Sequence, residues 1–210
     1  MAQQGLRERQ KAARETRILR AAVQAFRAED YRKVRIEDLA EEAEVSVGTV
    51  YNYYKTKGDI LIATVAMEVE EVLALGEPLL ADPPHGAEPA LLALIYGYYD
   101  HSLEYLSKDM WRKAMALAIE APDTPNGQRY WAMDRRLCDQ VTALIGTLQA
   151  RGEVGPGWDP APLGQLIFNN LNMTFMEFVK DEAMSLGTLR SRVAAQMKPL
   201  TQMISRRLAE

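Results

Sequence analysis

The chain has 210 residues, 48% of them apolar and 26% charged. That is the composition of a folded globular protein with room for one or two domains, and it excludes a disordered chain. With 25 basic and 29 acidic residues the net charge is -4, so the chain as a whole is no polycation. One cysteine, Cys138, excludes a disulfide framework or a cysteine-built metal centre, and the two histidines, His85 and His101, stand apart in sequence. No metal and no cofactor is expected. No apolar run reaches the roughly 18 residues that span a bilayer, and the N-terminus lacks the apolar core of a signal peptide. The expectation is a soluble, cytoplasmic protein without a membrane partner.

The charge is unevenly placed. Residues 1–35 hold ten Lys/Arg against four acids, a net +6, whereas residues 61–210 hold thirteen basic and nineteen acidic groups, a net -6. A basic N-terminal end on an acidic body points to a polyanion met by that end alone; a solvated helix face is the plainer alternative. Proline divides the chain similarly, since none of the ten occurs before Pro78.

Residues 8–28 carry Leu19, Val23 and Phe26 at i, i+4, i+7 and read as an amphipathic helix. Residues 36–43 repeat the pattern with Ile36, Leu39, Ala40 and Ala43. Ser46 can N-cap a third helix over 47–54. Thr56-Lys-Gly-Asp59 fits a capping box that opens a fourth, running to about Gly76. Beyond a loop at 77–87, helices are expected near 88–106, 108–120, 125–151, 160–182 and 186–208. Pro125 and Pro160 fall at first-turn positions, where a missing N–H costs nothing. Pro199 should kink the last helix near 195–198. The fold class is all-α, about nine helices: an N-terminal three-helix helix-turn-helix domain (12–72, motif 34–53) and a C-terminal helical domain (77–210) for ligand binding and dimerisation.

The informative constellation lies at 34–57. Two short helices joined by Glu44-Val45-Ser46 are too tightly linked for parallel neighbours and suit a helix-turn-helix crossing. Val47, Val50 and Tyr54 can face Ile36, Leu39 and Ala43. That leaves Gly48, Thr49, Tyr51, Asn52 and Tyr53 outward, a face without a carboxylate. Hydroxyl and amide groups donate to phosphate, and Asn can pair with adenine. Gly48 removes a side chain where the helix would approach a backbone closely. Lys55 and Lys57 flank this face.

These residues resemble the DNA-binding domain of TetR/AcrR-type transcriptional regulators. The resemblance rests on Ile18-Leu19-X-Ala21-Ala22-X-X-X-Phe26, on Ile36-X-X-Leu39-Ala40-X-X-Ala43, and on Val45-Ser46-X-Gly48-Thr49-Val50-Tyr51-X-Tyr53-Tyr54-X-X-Lys57. It implies that the second short helix enters the major groove and that Thr49, Tyr51, Asn52, Tyr53 and Lys57 carry DNA contacts. Tyr51 and Lys57 would mostly hold phosphates, and Asn52 and Val47 would help read bases. Two departures stand out. Arg35 replaces the Thr or Ser usual before the first motif helix, losing an N-cap and adding a phosphate-seeking charge. Glu44 replaces the usual turn glycine, where a positive φ costs a non-glycine residue about 1–2 kcal/mol.

The C-terminal part matches the family in size and helicity but not in motif. Its helices near 88–106 and 160–182 are apolar nearly all round, so they are buried or line a cavity. Tyr96, Tyr99, His101, Tyr105, Trp111, Met115, Tyr130, Trp131, Asn169, Asn172, Met173 and Met176 are the candidate lining for a small hydrophobic effector with a polar end. Leu186, Leu189, Val193, Met197, Leu200, Met203, Ile204 and Leu208 form a stripe broader than a lone helix needs. It fits a homodimer interface made with 160–182, the family's mode of dimerisation. No catalytic motif is present. The expected function is therefore a transcriptional regulator, not an enzyme. It would be a repressor bound to a palindromic double-stranded operator and released by the effector; the alternative is a ligand-independent architectural DNA binder.

Overall fold

The computed structural model describes residues 2–29 and 31–205. Among them are nine helices and no strand: α1 (Ala2–Ala28), α2 (Ile36–Glu42), α3 (Val47–Tyr53), α4 (Lys57–Ala81), α5 (Ala87–His101), α6 (Lys108–Glu120), α7 (Pro125–Ala150), α8 (Pro160–Lys180) and α9 (Leu186–Ile204). Among the described residues no helix is long and apolar enough to cross a membrane. By packing, the chain forms two compact units. The first comprises residues up to 67 with Tyr105–Tyr130, and the second comprises Glu68–Glu104 with residues from Trp131 onward.

In the first unit, Ile18, Ala22 and Phe26 of α1, Leu39 and Ala40 of α2, Val50 of α3 and Ile60 of α4 are buried together in a small apolar core. Helix α6 groups with this unit by packing. Its Leu117 Cδ1 would lie 3.3 Å from a Cβ built on Gly58, and its Lys113 ammonium lies 5.3 Å from the Tyr31 ring centre. Helix α1 begins six residues earlier than the apolar period indicates. Apart from Gly5, its opening turns are good helix formers, mostly Gln, Arg, Lys, Glu and Ala, and they offer no apolar stripe for a periodicity argument to detect.

In the second unit α9 packs on α5 and α8. Tyr99 of α5 stacks on Phe175 of α8 at 6.0 Å and donates to the Leu171 carbonyl at 2.8 Å. Two boundaries differ from the sequence expectation. Helix α4 does not stop at Gly76 but runs through Pro78 to Ala81. The carbonyl that loses its donor belongs to Ala74, an exposed residue, so water can satisfy it. Helix α5 ends at His101, not near 106. The Ser102 hydroxyl takes the Tyr99 carbonyl at 2.7 Å, and the chain turns there. Helix α9 likewise continues through Pro199, where the orphaned carbonyl is that of exposed Ala195.

The stripe expected to be free on the last helix divides in two. Leu189, Val193, Met197 and Ile204 are buried within their own unit. What remains outward is half-buried Leu186 and Leu200 and exposed Met203; Leu208 lies outside the described residues. A 3.6-residue period shows that a face is apolar but not whether the neighbour belongs to the same chain.

Candidate nucleic-acid interface

The helix-turn-helix is fixed by local hydrogen bonds that the sequence specifies. Ser46 caps α3, accepting from the Thr49 N–H at 3.1 Å, and its hydroxyl lies 2.8 Å from that of Thr49. Asp59 and Thr56 form the reciprocal capping box of α4. Asp59 Oδ2 accepts from the Thr56 and Lys55 N–H groups at 2.8 Å each, and Thr56 Oγ1 accepts from the Asp59 N–H at 3.1 Å. Asn126 adds a bond to the other carboxylate oxygen at 2.5 Å. Burial opposes ionisation of Asp59, but these donors outweigh it and hold its carboxyl below the usual range. Arg35 precedes α2 in extended conformation and makes no side-chain cap. The turn residue Glu44 has φ +52, the only positive φ at a non-glycine among the described residues.

Val50 and Tyr54 are buried on the inner side of α3, as its spacing requires, whereas Val47 is half-buried. Gly48, Tyr51 and Asn52 are exposed, and Thr49 is partly covered. The position of Gly48 is notable. A Cβ built there meets only Ser46 Oγ, at 3.8 Å, and the backbone φ is not positive. Among the described residues nothing therefore demands glycine at 48.

Two of the expected contact residues are committed inward. Tyr53 donates its hydroxyl to the Lys11 carbonyl of α1 at 3.1 Å and is only half-exposed. The ammonium of Lys57 donates to the carbonyls of Arg32 and Val34 at 3.1 and 2.9 Å and lies 4.7 Å from the centre of the Tyr31 ring. It closes the α1–α2 connection, of which Arg35 is the exposed end. Next to Tyr53, buried Tyr54 donates to Glu15 at 3.1 Å, and burial followed by that carboxylate pushes its hydroxyl pKa up.

The family model for bacterial regulatory proteins of the tetR family matches residues 18–64. This span runs from the first buried residue of α1 through the capped motif into α4. Over these residues the chain carries the N-terminal domain of the tetR family. It is similar to the fatty acid metabolism regulator protein of Bacillus subtilis (strain 168), at 23% identity over 83% of this chain and 88% of that one. The fold is shared with a TetR-family regulator of Mesorhizobium loti MAFF303099 (TM-score 0.71, 21% identity, 92% and 97% of the two chains). It is also shared with FadR of Bacillus subtilis in complex with stearoyl-CoA (TM-score 0.64, 20% identity, 87% and 96%).

The candidate effector residues fall into both units. Tyr105, Trp111, Met115 and Tyr130 belong to the first, and Tyr96, Tyr99, His101, Trp131, Asn169, Asn172, Met173 and Met176 to the second. Several are already engaged. Tyr99 is bonded to α8, and Tyr96 lies 5.2 Å from the Arg190 guanidinium. His101 Nδ1 is 2.7 Å from Glu68 Oε1. Asn169 accepts from Gln165, and neighbouring Asn170 donates to Gln196, so two of the three α8 amides find protein partners. Trp131 and Met173 are exposed.

Sequence reasoning passed over two acids in the second unit. Burial pushes the Glu68 carboxyl up to about 7 against the opposing His101 contact, and its Oε2 is buried without a partner. Burial alone pushes Asp134 up to about 7. Neither occupies a motif, and helical spacing alone does not distinguish a buried acid from a solvated one.

Proposed function

We propose that this regulator is a homodimeric repressor that binds a palindromic operator in the cytoplasm and leaves it when a hydrophobic effector binds. The observation that carries the DNA reading is the outer face of α3: a glycine with open space above it beside exposed Tyr51 and Asn52, and no carboxylate. A surface that keeps its side chains short where internal packing imposes no limit is shaped by an external neighbour. Asn52 offers a bidentate amide to an adenine edge, and Val47 an apolar contact to a thymine methyl. Thr49, Tyr51 and Arg35 hold phosphates. Tyr53 and Lys57 act on the DNA mainly through α1 and the α1–α2 connection, which they hold in place.

Leu166 and Met173 on α8, with Met203 on α9, are exposed apolar side chains on the two helices assigned to the dimer. Two recognition helices related by a two-fold axis read half-sites about 34–36 Å apart. An effector that favours another spacing shifts the population away from DNA. The apolar helices α5 and α8, together with the likeness to a regulator bound to stearoyl-CoA, favour an acyl thioester of coenzyme A. It would be taken by the second unit, with Tyr96, Trp131, Asn172 and Met176 as candidate contacts.

The test is selection of bound duplex from a random DNA pool, followed by challenge of the complex with long-chain acyl-CoA, free coenzyme A and sugar phosphates. Enrichment of a palindrome released by acyl-CoA alone is the expected result. Failure to enrich any sequence overturns the DNA reading, and release by sugar phosphates overturns the effector class.

A further inference from the structure

The described side chains in the opening turns of α1 contribute nothing to a core. Every residue from Gly5 to Arg14 whose side chain is described is exposed, and among the described residues the first buried one is Ile18. At 1.5 Å per residue, about 24 Å of helix therefore precede the core. A helix that is polar all round gains nothing from packing and needs another reason to hold its place.

Its charges are ordered. Arg7, Lys11 and Arg14 recur at i, i+4, i+7 and form one stripe, continued further along by buried Ile18 on the same side. Arg9 points about 160° away from Arg7. None of these four cations makes an ion pair among the described residues. The stripe is also tied to α3. The Tyr53 hydroxyl holds the Lys11 carbonyl, and the Tyr54 hydroxyl holds the Glu15 carboxylate one turn on. Two adjacent residues at the end of the DNA-facing helix thus set where the basic turns lie.

We propose that these turns are a second DNA-binding element, in which Arg7, Lys11 and Arg14 hold backbone phosphates flanking the groove met by α3. The inference rests on the DNA reading of α3. From Arg7 to Arg14 the stripe spans about 10 Å, three phosphate-to-phosphate steps of one strand at about 3.4 Å each along the axis, so the three cations fall within a run of four phosphates. A helix of about 10–12 Å diameter does not enter a minor groove about 6 Å wide. The partner is therefore the sugar–phosphate backbone and not base edges, and the arm adds affinity and salt dependence without base preference.

The test compares the full-length wild type, the triple variant Arg7→Gln, Lys11→Gln, Arg14→Gln, and the single variant Arg9→Gln. Glutamine keeps helix propensity, and circular dichroism checks that helicity is retained. Binding is measured at several salt concentrations. One duplex ends at the last discriminated base pair of the selected operator, and the other extends into unrelated sequence on both sides. The wild type should prefer the longer duplex. The triple variant should lose that preference, and its log–log salt slope should fall by two to three per arm, at about 0.9 per phosphate. Arg9→Gln should lower the slope by less than one, and the base preference of all three should be the same. A triple variant with unchanged slope and length dependence overturns the arm while leaving α3 standing. So does one with altered base preference. A wild type that binds no duplex overturns both.

Discussion

Helices α3 and α8 each turn outward a face that packing inside the chain does not explain, and the two faces differ in chemistry. On α3 the outward positions are Gly48, Tyr51 and Asn52; on α8 they include Leu166 and Met173. Short and hydrogen-bonding side chains suit a hydrated, charged partner whose backbone comes close. Branched and thioether side chains suit a partner that excludes water. Exposure alone therefore identifies a surface, and side-chain chemistry identifies what covers it. The inner faces of the same helices do not separate them, since buried Val50 and Phe175 would suit any helical protein.

The largest effect should come from breaking the apolar side of this contrast. Leu166→Glu with Met173→Glu places two charges on a face that dimerisation would dry. Light scattering should show a folded monomer, and operator affinity should fall by about 10²–10⁴ as the two half-sites cease to be bound together. An intact dimer would show that α8 meets something other than a second copy. Ile204 is unsuited to this test, because it is buried within its own unit and a charge there would unfold the chain.

On the polar side, Asn52→Ala should cost about 1–3 kcal/mol on the best operator and relax discrimination at one base pair per half-site. Binding to a scrambled duplex, measured in parallel, should be nearly unchanged. Lys57→Ala sharpens the distinction between contact and support. Removing an ammonium that serves two carbonyls should lower unfolding stability by roughly 1–3 kcal/mol, measured by denaturant titration, and should weaken all duplexes alike. If Lys57→Ala instead leaves stability unchanged and alters base preference, the residue is a direct reader.

The smallest effect is expected in the turn. Glu44 stands at φ +52, so Glu44→Gly relieves strain of about 1–2 kcal/mol. Against this stand the loss of an exposed contact with Arg17 and added freedom in the unfolded chain. A rise of a few degrees in melting temperature with unchanged operator affinity is the expected outcome.

These cases show what was legible in the sequence. The caps at Ser46 and Asp59, the strained turn at Glu44 and the buried face of α3 are local, and local chemistry is written in adjacent residues. The inward commitments of Tyr53 and Lys57 are not local, because their partners lie 42, 25 and 23 residues away. The same holds for α6, whose own period does not reveal that it packs with the first unit, and for the stripe on α9, whose apolar period cannot name its neighbour. The opening turns of α1 escaped detection as helix for a different reason: they are mostly polar and leave no apolar pattern.

The most direct measurement is the operator affinity of Gly48→Ala, taken together with its melting temperature. A Cβ at 48 has open space, and alanine is the better helix former by about 1 kcal/mol. If an external backbone approaches this point, the variant should be as stable as the wild type or more so, and should lose operator binding. A variant that is equally stable and binds as tightly as the wild type would contradict the assignment of this face to DNA.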